Sequence, residues 1–353
     1  KGYSWHVALA AVFVEGIIFI ILSAVNVREA IFNAIPANMK KAVSVGIGMF
    51  IAFIGLQNAG VVINNPSTCV SLGDVKTVPV ALALIGTIIT LVLVIRKVKG
   101  ALLVGILITW ILGIICQLAG VYVVDVEAGV YSLIPTGLIS APPSIAPIAG
   151  KLSFSGISIF DFIVVVFAFL FVDMFDTIGT LIGVSTKAGM LDEEGHLPNI
   201  KGALMADAVA TTVGAVLGTT TTTTFVESAS GVSEGGRTGL TSATTAILFG
   251  LSLFLSPIFL AIPSFATAPA LIVVGFYMLT NVTHIEFDDF SEALPCYICI
   301  LAMPFFYSIS EGISMGVISY VILNLMTGKA KEKKISALMY VLAVLFILKY
   351  IFL

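Results

Sequence analysis

Apolar residues run along this chain in stretches of about 20, the length that an α-helix needs to cross the hydrocarbon core of a bilayer. The pattern predicts an all-α polytopic membrane protein with no soluble domain. A short half-helix is also predicted after Glu227. The predicted spans are residues 5–25, 42–63, 78–95, 101–121, 159–186, 200–217, 238–262, 266–282, 294–309, 312–327 and 336–352.

Two polar stretches interrupt the apolar pattern. FVDMFDTIGT (Phe171 to Thr180) places Asp173 and Asp176 inside an apolar span, and GTTTTTTFVES (Gly218 to Ser228) places six threonines just before Glu227. Threonine is β-branched and favours extended backbone over helix. Non-helical backbone at membrane depth is tolerated only where it is buried in protein or lines a water-filled cavity. A helix, an extended break and an acid together therefore predict the substrate site of a carrier with discontinuous helices.

Composition supports the membrane class and argues against other functions. Hydrophobic residues make up 59% of the chain and charged residues 10%, whereas a soluble domain carries about 25% charged residues. The net charge of -3 indicates no nucleic-acid partner. Cys296 and Cys299 form a C-x-x-C pair inside an apolar run, and no nearby His completes a metal site, so packing is expected for both. With no HExxH or GxSxG motif, we predict no enzyme, catalytic residue, metal or cofactor.

The basic residues predict the orientation of the chain, since cytoplasmic loops carry an excess of Lys and Arg. The alternation of spans puts most of them inside if the basic segment, residues 329–334, is cytoplasmic and the threonine stretch counts as one crossing. A multi-pass protein of the cell membrane is therefore expected. Only four of the 17 Lys and Arg residues then lie outside: Lys1, Lys76, Lys151 and Lys349.

An internal repeat is indicated by two similar stretches, AIPANMKKAVSVGIGMF around Pro36 and AIPSFATAPALIVVGFY around Pro263. Gly48 and Gly275 occupy the same places in the two stretches. An odd number of predicted crossings separates them, so the second copy is inverted, as is common in transporters. On this interpretation the first half lacks counterparts to three spans of the second half. We therefore expect the chain to be short by three N-terminal spans.

The stretch FVDMFDTIGTLIGVSTKAGM, followed by GTTTTTTFVESASGVSEGGRTGLTS, closely resembles the AzgA-like purine permeases of the nucleobase:cation symporter-2 (nucleobase/ascorbate transporter) family. The resemblance extends over essentially the whole chain. It implies inverted seven-helix repeats with core and gate domains, and a short midplane β-strand in a discontinuous helix. On that map the chain starts at the fourth helix, the threonines lie in the tenth, and the span at 336–352 lies beyond the fourteenth.

The resemblance also implies a division into domains. The core domain comprises a first-repeat remnant at 1–36 and the second repeat, with the substrate site, at 159–262. The gate domain comprises 37–125 from the first repeat and 263–328 from the second. An external loop at 126–158 separates the halves, and 329–353 holds the basic segment and an extra apolar helix.

The function that the resemblance implies is secondary active import of purine nucleobases, namely adenine, guanine and hypoxanthine, by proton symport. The family's substrate-binding acid falls on Asp176, and its second acid falls on Glu227. Thr180 stands where related carriers have a histidine, so proton coupling is expected to use the carboxylates Glu227 and Asp176, supported by Asp173.

The chemistry of a purine is consistent with these residues. Ring and exocyclic N–H groups need acceptors, and a carboxylate is a strong one. Phe175 and Phe225 adjoin the acids and are stacking candidates, although plain packing is the alternative for each. The hydroxyls of Thr224 and Thr180 complete the predicted substrate site.

Two alternatives to purine import remain. A uracil or xanthine carrier of the same superfamily is the nearest, and an anion transporter of the same fold would favour a basic or neutral site over two acids. The expected partners are a purine nucleobase and the lipid bilayer. The sequence does not decide the oligomeric state, and a homodimer is kept as one alternative.

Overall fold

The computed structural model describes residues 3–125, 127, 129–192 and 196–352. The helices and strands in that part of the chain are α1 (Trp5–Ala24), α2 (Val27–Ala34), α3 (Ala37–Asn58), β1 (Val62–Asn65), β2 (Cys69–Leu72), α4 (Val78–Ile95), α5 (Ala101–Leu118), α6 (Ile159–Ala188), α7 (Ile200–Leu217), α8 (Ser228–Ser233), α9 (Gly239–Ser252), α10 (Ser256–Phe259), α11 (Ser264–Leu279), a 3-10 helix (Thr280–His284), α12 (Phe290–Phe305), α13 (Ile309–Met326) and α14 (Ala337–Phe352).

Within the described residues, seven helices are long and apolar enough to cross a membrane. They include α1, α3, α4, α5, α7 and α13, and the seventh combines α11 with the 3-10 helix that follows it. The prediction of an all-α polytopic membrane protein is confirmed.

Two predicted spans differ from the structure. The span predicted at 42–63 is a helix that ends at Asn58 and is followed by a hairpin of β1 and β2, paired antiparallel with Val62 opposite Leu72. Asn and Pro at the end of β1 favour a turn there. The span predicted at 238–262 is divided into α9 and α10, because Pro257 begins a new helix more readily than it continues one. The short helix α2 was not predicted.

The chain divides into two compact units, which are described separately. The first unit comprises Lys1–Ile47, Ser144–Val226 and Leu279–Leu353, and the second comprises Gly48–Pro143 and Glu227–Met278. In the first, α1 packs against α7, α6 and α2, and α13 packs against α12, α6 and α14. The assignment of core and gate domains, made from the family resemblance, stays a prediction.

The second unit contains a helix pair, α4 and α5, held by reciprocal contacts between glycine and threonine. A Cβ added to Gly86 would overlap the Thr109 side chain, and one added to Gly105 would overlap that of Thr90. Each hydroxyl donates to a carbonyl of its own helix, Thr90 to Gly86 at 2.7 Å and Thr109 to Gly105 at 2.8 Å. Small residues let the two backbones approach closely, which is a common way for membrane helices to associate.

In the first unit, α14 packs beside the helix that carries the acids. Phe346 of α14 is fully buried, with its ring centroid 4.6 Å from that of Phe175 and 5.0 Å from that of Phe171. Lys349 and Tyr350 contact the carboxylate of Glu311 on α13. The apolar segment predicted at 336–352 is thus an integral part of the first unit.

The basic segment is tied to the start of α12 by ion pairs. Lys329 lies 3.1 Å and Lys333 2.7 Å from the carboxylate of Asp289, and Lys333 also lies 2.8 Å from Glu292. Hydrogen bonds from the Lys333 ammonium and from Ser291 hold the pKa of Asp289 below its usual range. The segment therefore has a structural partner in addition to its predicted role as an orientation signal.

Helices α1 and α7 of the first unit are in close contact at Gly16. A Cβ at Gly16 would overlap the hydroxyl of Thr212 and lie 2.9 Å from its backbone nitrogen. We expect Gly16→Ala to lower the free energy of unfolding by about 1–3 kcal/mol, because one of the helices has to shift. Thermal unfolding of the purified protein in detergent measures the change.

The matched control is Gly202→Ala on α7, where an added Cβ meets nothing within 4 Å. Alanine is the better helix former, so this variant should unfold at the wild-type temperature or slightly above it. If both variants unfold at the same temperature, the close contact at Gly16 does not limit which side chain this position accepts.

Candidate functional site

A cavity of about 400 Å³ lies inside the first unit, between α1, α6 and the threonine stretch that follows α7. Its size is within the range of small-molecule binding sites, roughly 300–1,000 Å³. It is largely apolar, and the polar side chains in its lining are two carboxyls, three threonines and the indole of Trp5. The lining residues are Trp5, Ala8, Leu9, Val12, Phe169, Val172, Asp173, Asp176, Gly218, Thr220, Thr221 and Thr223.

Helix α6 brings both of its central acids to this cavity. Asp173 and Asp176 are three residues apart and therefore lie on the same face of the helix. Asp176 is partly exposed, and its Oδ1 has no hydrogen-bond partner among the described residues. An acceptor without a protein partner, on a side chain that lines a cavity, is a candidate partner for a ligand N–H group.

The threonine stretch forms the opposite wall without being helical. It starts at Gly218, the residue after α7, whose φ of 93° is in the left-handed region that favours glycine. Residues 219–225 have neither helical nor strand assignment. The Thr211 hydroxyl of α7 donates to the Thr222 carbonyl at 3.0 Å, which fixes the stretch to that helix. The predicted break in the helix is present, but the predicted β-strand is not, because the described residues of the stretch pair with no strand.

Three of the threonines contribute to the cavity, and the one singled out from the sequence does not. Thr220, Thr221 and Thr223 line it, whereas Thr224 does not. The backbone N–H of Thr224 instead points to the carboxylate of Asp207. The stretch is extended but unpaired, so the alternation of a regular strand did not predict which threonines line the cavity.

The other candidates from the sequence lie outside the cavity lining. Phe175 is fully buried between Phe171 and Phe346, and Thr180 is 3% exposed within α6. Phe225 is 59% exposed. For Phe175, the packing alternative describes the observed position.

Glu227 stands immediately before α8 and is exposed, with no side-chain hydrogen bond to that helix. It belongs to the second unit, whereas Asp176 belongs to the first. The short helix predicted after Glu227 is confirmed as Ser228–Ser233. Convergence of Glu227 and Asp176 on one substrate stays a prediction.

Sequence reasoning missed the aromatic residues that do line the cavity, Trp5 and Phe169. The Trp5 ring is stacked on His6 with centroids 3.8 Å apart. The available signals were the position of Trp5 at the start of an apolar span and that of Phe169 in the same span as the two acids. Either ring is a candidate stacking surface for a planar ligand.

A buried ion pair between α2 and α7 lies outside the cavity lining. Arg28 of α2 lies 2.8 Å from the carboxylate of Asp207 on α7, with their side chains 0% and 2% exposed. The guanidinium also donates to the Leu204 carbonyl at 3.0 Å and lies 4.1 Å from the Phe19 ring centroid. The Thr177 hydroxyl of α6 donates to Asp207 at 3.0 Å. These contacts give Asp207 a structural role. Arg28 lies between the predicted spans 5–25 and 42–63, and the sequence did not indicate its role.

Comparison with known proteins identifies the family. The sequence profile described as the Permease family matches residues 1–315. The chain belongs to this family. Being a permease, it is a transporter and not an enzyme, and its spans make it a multi-pass membrane protein.

Several permeases are similar to this one over nearly its whole length. A permease of Methanocaldococcus jannaschii is 46% identical over 349 residues, covering 99% of this chain and 77% of that protein. The guanine/hypoxanthine permease PbuG of Bacillus subtilis is 43% identical over 352 residues, covering 99% and 76%. The adenine permease AdeP of Escherichia coli is 38% identical over 351 residues, covering 99% and 75%.

Proposed function

We propose that this permease imports purine nucleobases and that it does so by proton symport. Similar permeases are named for guanine and hypoxanthine or for adenine, and these are the purines predicted from the motifs. The coupling ion is inferred from the carboxyl groups at membrane depth, since ionisable residues there usually mark ion or proton pathways.

The observation that carries the proposal is the free oxygen of Asp176 in a small, mainly apolar cavity. A purine is planar and apolar on its faces, and its edge presents N–H donors. The Asp176 carboxylate would accept one of these N–H groups in a charge-assisted hydrogen bond. The threonine hydroxyls can both donate and accept, so they suit the mixed pattern of ring nitrogens and exocyclic groups.

In this proposal Glu227 is the second acid that acts on the substrate. It would accept a further N–H group or bind the transported proton during the transport cycle. Phe225 and Thr224 closely precede Glu227 in the chain. In this proposal the ring of Phe225 stacks on the purine and the Thr224 hydroxyl binds it when Glu227 acts on the substrate.

Uptake by the purified protein in proteoliposomes tests the function. With an inward proton gradient, radiolabelled hypoxanthine, guanine and adenine should each be offered alone, and then in competition with uracil, xanthine and sulfate. Purine accumulation with alkalinisation of the outer medium is expected. Preferential uptake of uracil or xanthine would favour the nearest alternative, and inhibition by sulfate would favour an anion transporter.

A further inference from the structure

Two buried carboxyl groups meet inside the first unit, at the edge of the cavity. Glu15 of α1 is 0% exposed and Asp173 of α6 is 4% exposed. The two side chains lie within hydrogen-bond reach of each other. None of their four oxygens has a hydrogen-bond partner among the other described groups. An ionised carboxylate is an acceptor only, so as two carboxylates they would face each other without a donor.

The charged groups around the pair do not neutralise it. Helix α1 packs against α2, α6 and α7, and α6 also packs against α13. The only cation near the pair in the described structure is Arg28, which is bound to Asp207. The ionisable groups on these helices that bear on the pair are Arg28 on α2, Asp176 on α6 and Asp207 on α7, while Glu311 on α13 is paired with Lys349.

Burial of an unpaired carboxylate is costly enough that the group holds a proton instead. A protonated carboxyl gains an O–H donor, and the other carboxyl of this pair is within reach to accept it. One proton therefore converts two unpaired acceptors into a hydrogen-bonded pair. The arrangement is unsuited to a metal ion, because no cluster of three or more His, Cys, Asp or Glu side chains is found in the part of the chain that the structure describes.

We propose that Glu15 and Asp173 share a proton and that this pair, in place of Glu227, forms the proton-carrying site of the transporter. Asp173 also lines the cavity, so a proton from the cavity can reach the pair through it. Release is the loss of H⁺ from one carboxylic acid to water in the cavity, which leaves a carboxylate. The role in transport rests on the proposed proton symport, whereas the shared proton does not depend on it.

The shared proton can be measured without substrate. Infrared spectra of the wild-type protein at neutral pH should contain a protonated-carboxyl C=O stretching band, shifted by exchange into D₂O. The band should be lost in the double variant Glu15→Gln/Asp173→Asn and kept in Asp161→Asn, which changes an acid at the exposed start of the same helix. A wild-type spectrum without this band, or a double variant that retains it, overturns the proposal.

The role in coupling is tested with Glu15→Gln, which lies outside the cavity lining and preserves the size of the side chain. In proteoliposomes, purine accumulation driven by the proton gradient should fall to the equilibrium level, while purine counterflow at equal pH persists. An unfolding temperature equal to that of the wild type shows that Glu15→Gln is folded. The variant Glu15→Asp keeps a carboxyl at this position and should recover part of the purine accumulation. It also serves as the test variant if Glu15→Gln does not fold.

The outcomes separate the two proposals. If Glu15→Gln accumulates purines with wild-type alkalinisation, the pair does not carry the proton even though purine import stands. If a sodium gradient drives accumulation and a proton gradient does not, proton carriage by the pair is overturned. If the wild-type protein takes up no purine, the proposed function fails, and the infrared band alone decides whether the pair shares a proton.

Discussion

Asp176→Asn should abolish concentrative purine uptake and weaken purine binding about 10- to 100-fold. The change removes the negative charge of the free acceptor in the cavity while keeping the size of the side chain. A hydrogen bond to a charged group contributes roughly 1.5–3 kcal/mol, and each 1.4 kcal/mol is about tenfold in affinity. Isothermal titration in detergent with hypoxanthine, guanine and adenine measures binding, and proteoliposome uptake measures transport.

Asp161→Asn is the matched control for this substitution. Asp161 is at the start of α6, where its carboxylate accepts from the Ser158 hydroxyl at 2.8 Å, and it does not line the cavity. The control should bind and transport purines as the wild type does. Unchanged purine affinity in Asp176→Asn would show that the ligand binds without this carboxylate.

Arg28→Met should be the most destabilising single substitution in the first unit. It leaves the Asp207 carboxylate buried with only Thr177 and the Thr224 backbone as donors. Removal of one partner from a buried ion pair costs about 3–5 kcal/mol, a large share of the roughly 5–15 kcal/mol that stabilises a typical folded protein. Low yield and a strong drop in the unfolding temperature in detergent are expected.

A double-mutant cycle tests whether the uncompensated charge causes this loss. The variant Arg28→Met/Asp207→Asn removes both charges, and the amide oxygen that replaces the carboxylate can still accept from Thr177. Replacement of a buried ion pair by uncharged groups is often nearly neutral. The double variant should therefore be more stable than Arg28→Met. If the double variant is no more stable than Arg28→Met, the uncompensated Asp207 carboxylate is not the cause of the loss.

The sequence predicted the main elements of the cavity because each leaves a local signal. Acids at helical spacing in an apolar span identified the face of α6, and six threonines before Glu227 identified the break. The hairpin after α3 was missed, since the apolar residues at the start of β1 were included in the preceding helical span. Gln57, Asn58 and Gly60, which interrupt the apolar run, and Pro66 at the turn were the local indications against a continuous span.

Contacts between distant parts of the chain were not predictable in the same way. Phe175 adjoins Asp176, but its ring packs on Phe346, and nothing in the spacing of phenylalanines shows which one faces a ligand. Arg28 lies between the predicted spans 5–25 and 42–63, because the helix that carries it, α2, is too short and polar to be predicted as a span. The meeting of Glu15 with Asp173 depends on how α1 crosses α6, which an isolated sequence does not specify.

Helix α7 contributes no side chain to the cavity lining, yet Thr211 holds the threonine stretch and Asp207 joins α2 to α6. The shape of the cavity is thus set in part by residues that do not line it. Adaptation to a different nucleobase can consequently begin with substitutions on α7. These would change the direction of the hydroxyls of the threonine stretch while the residues that line the cavity stay the same. Directed-evolution libraries aimed at selectivity should include this helix as well as the visible walls of the cavity.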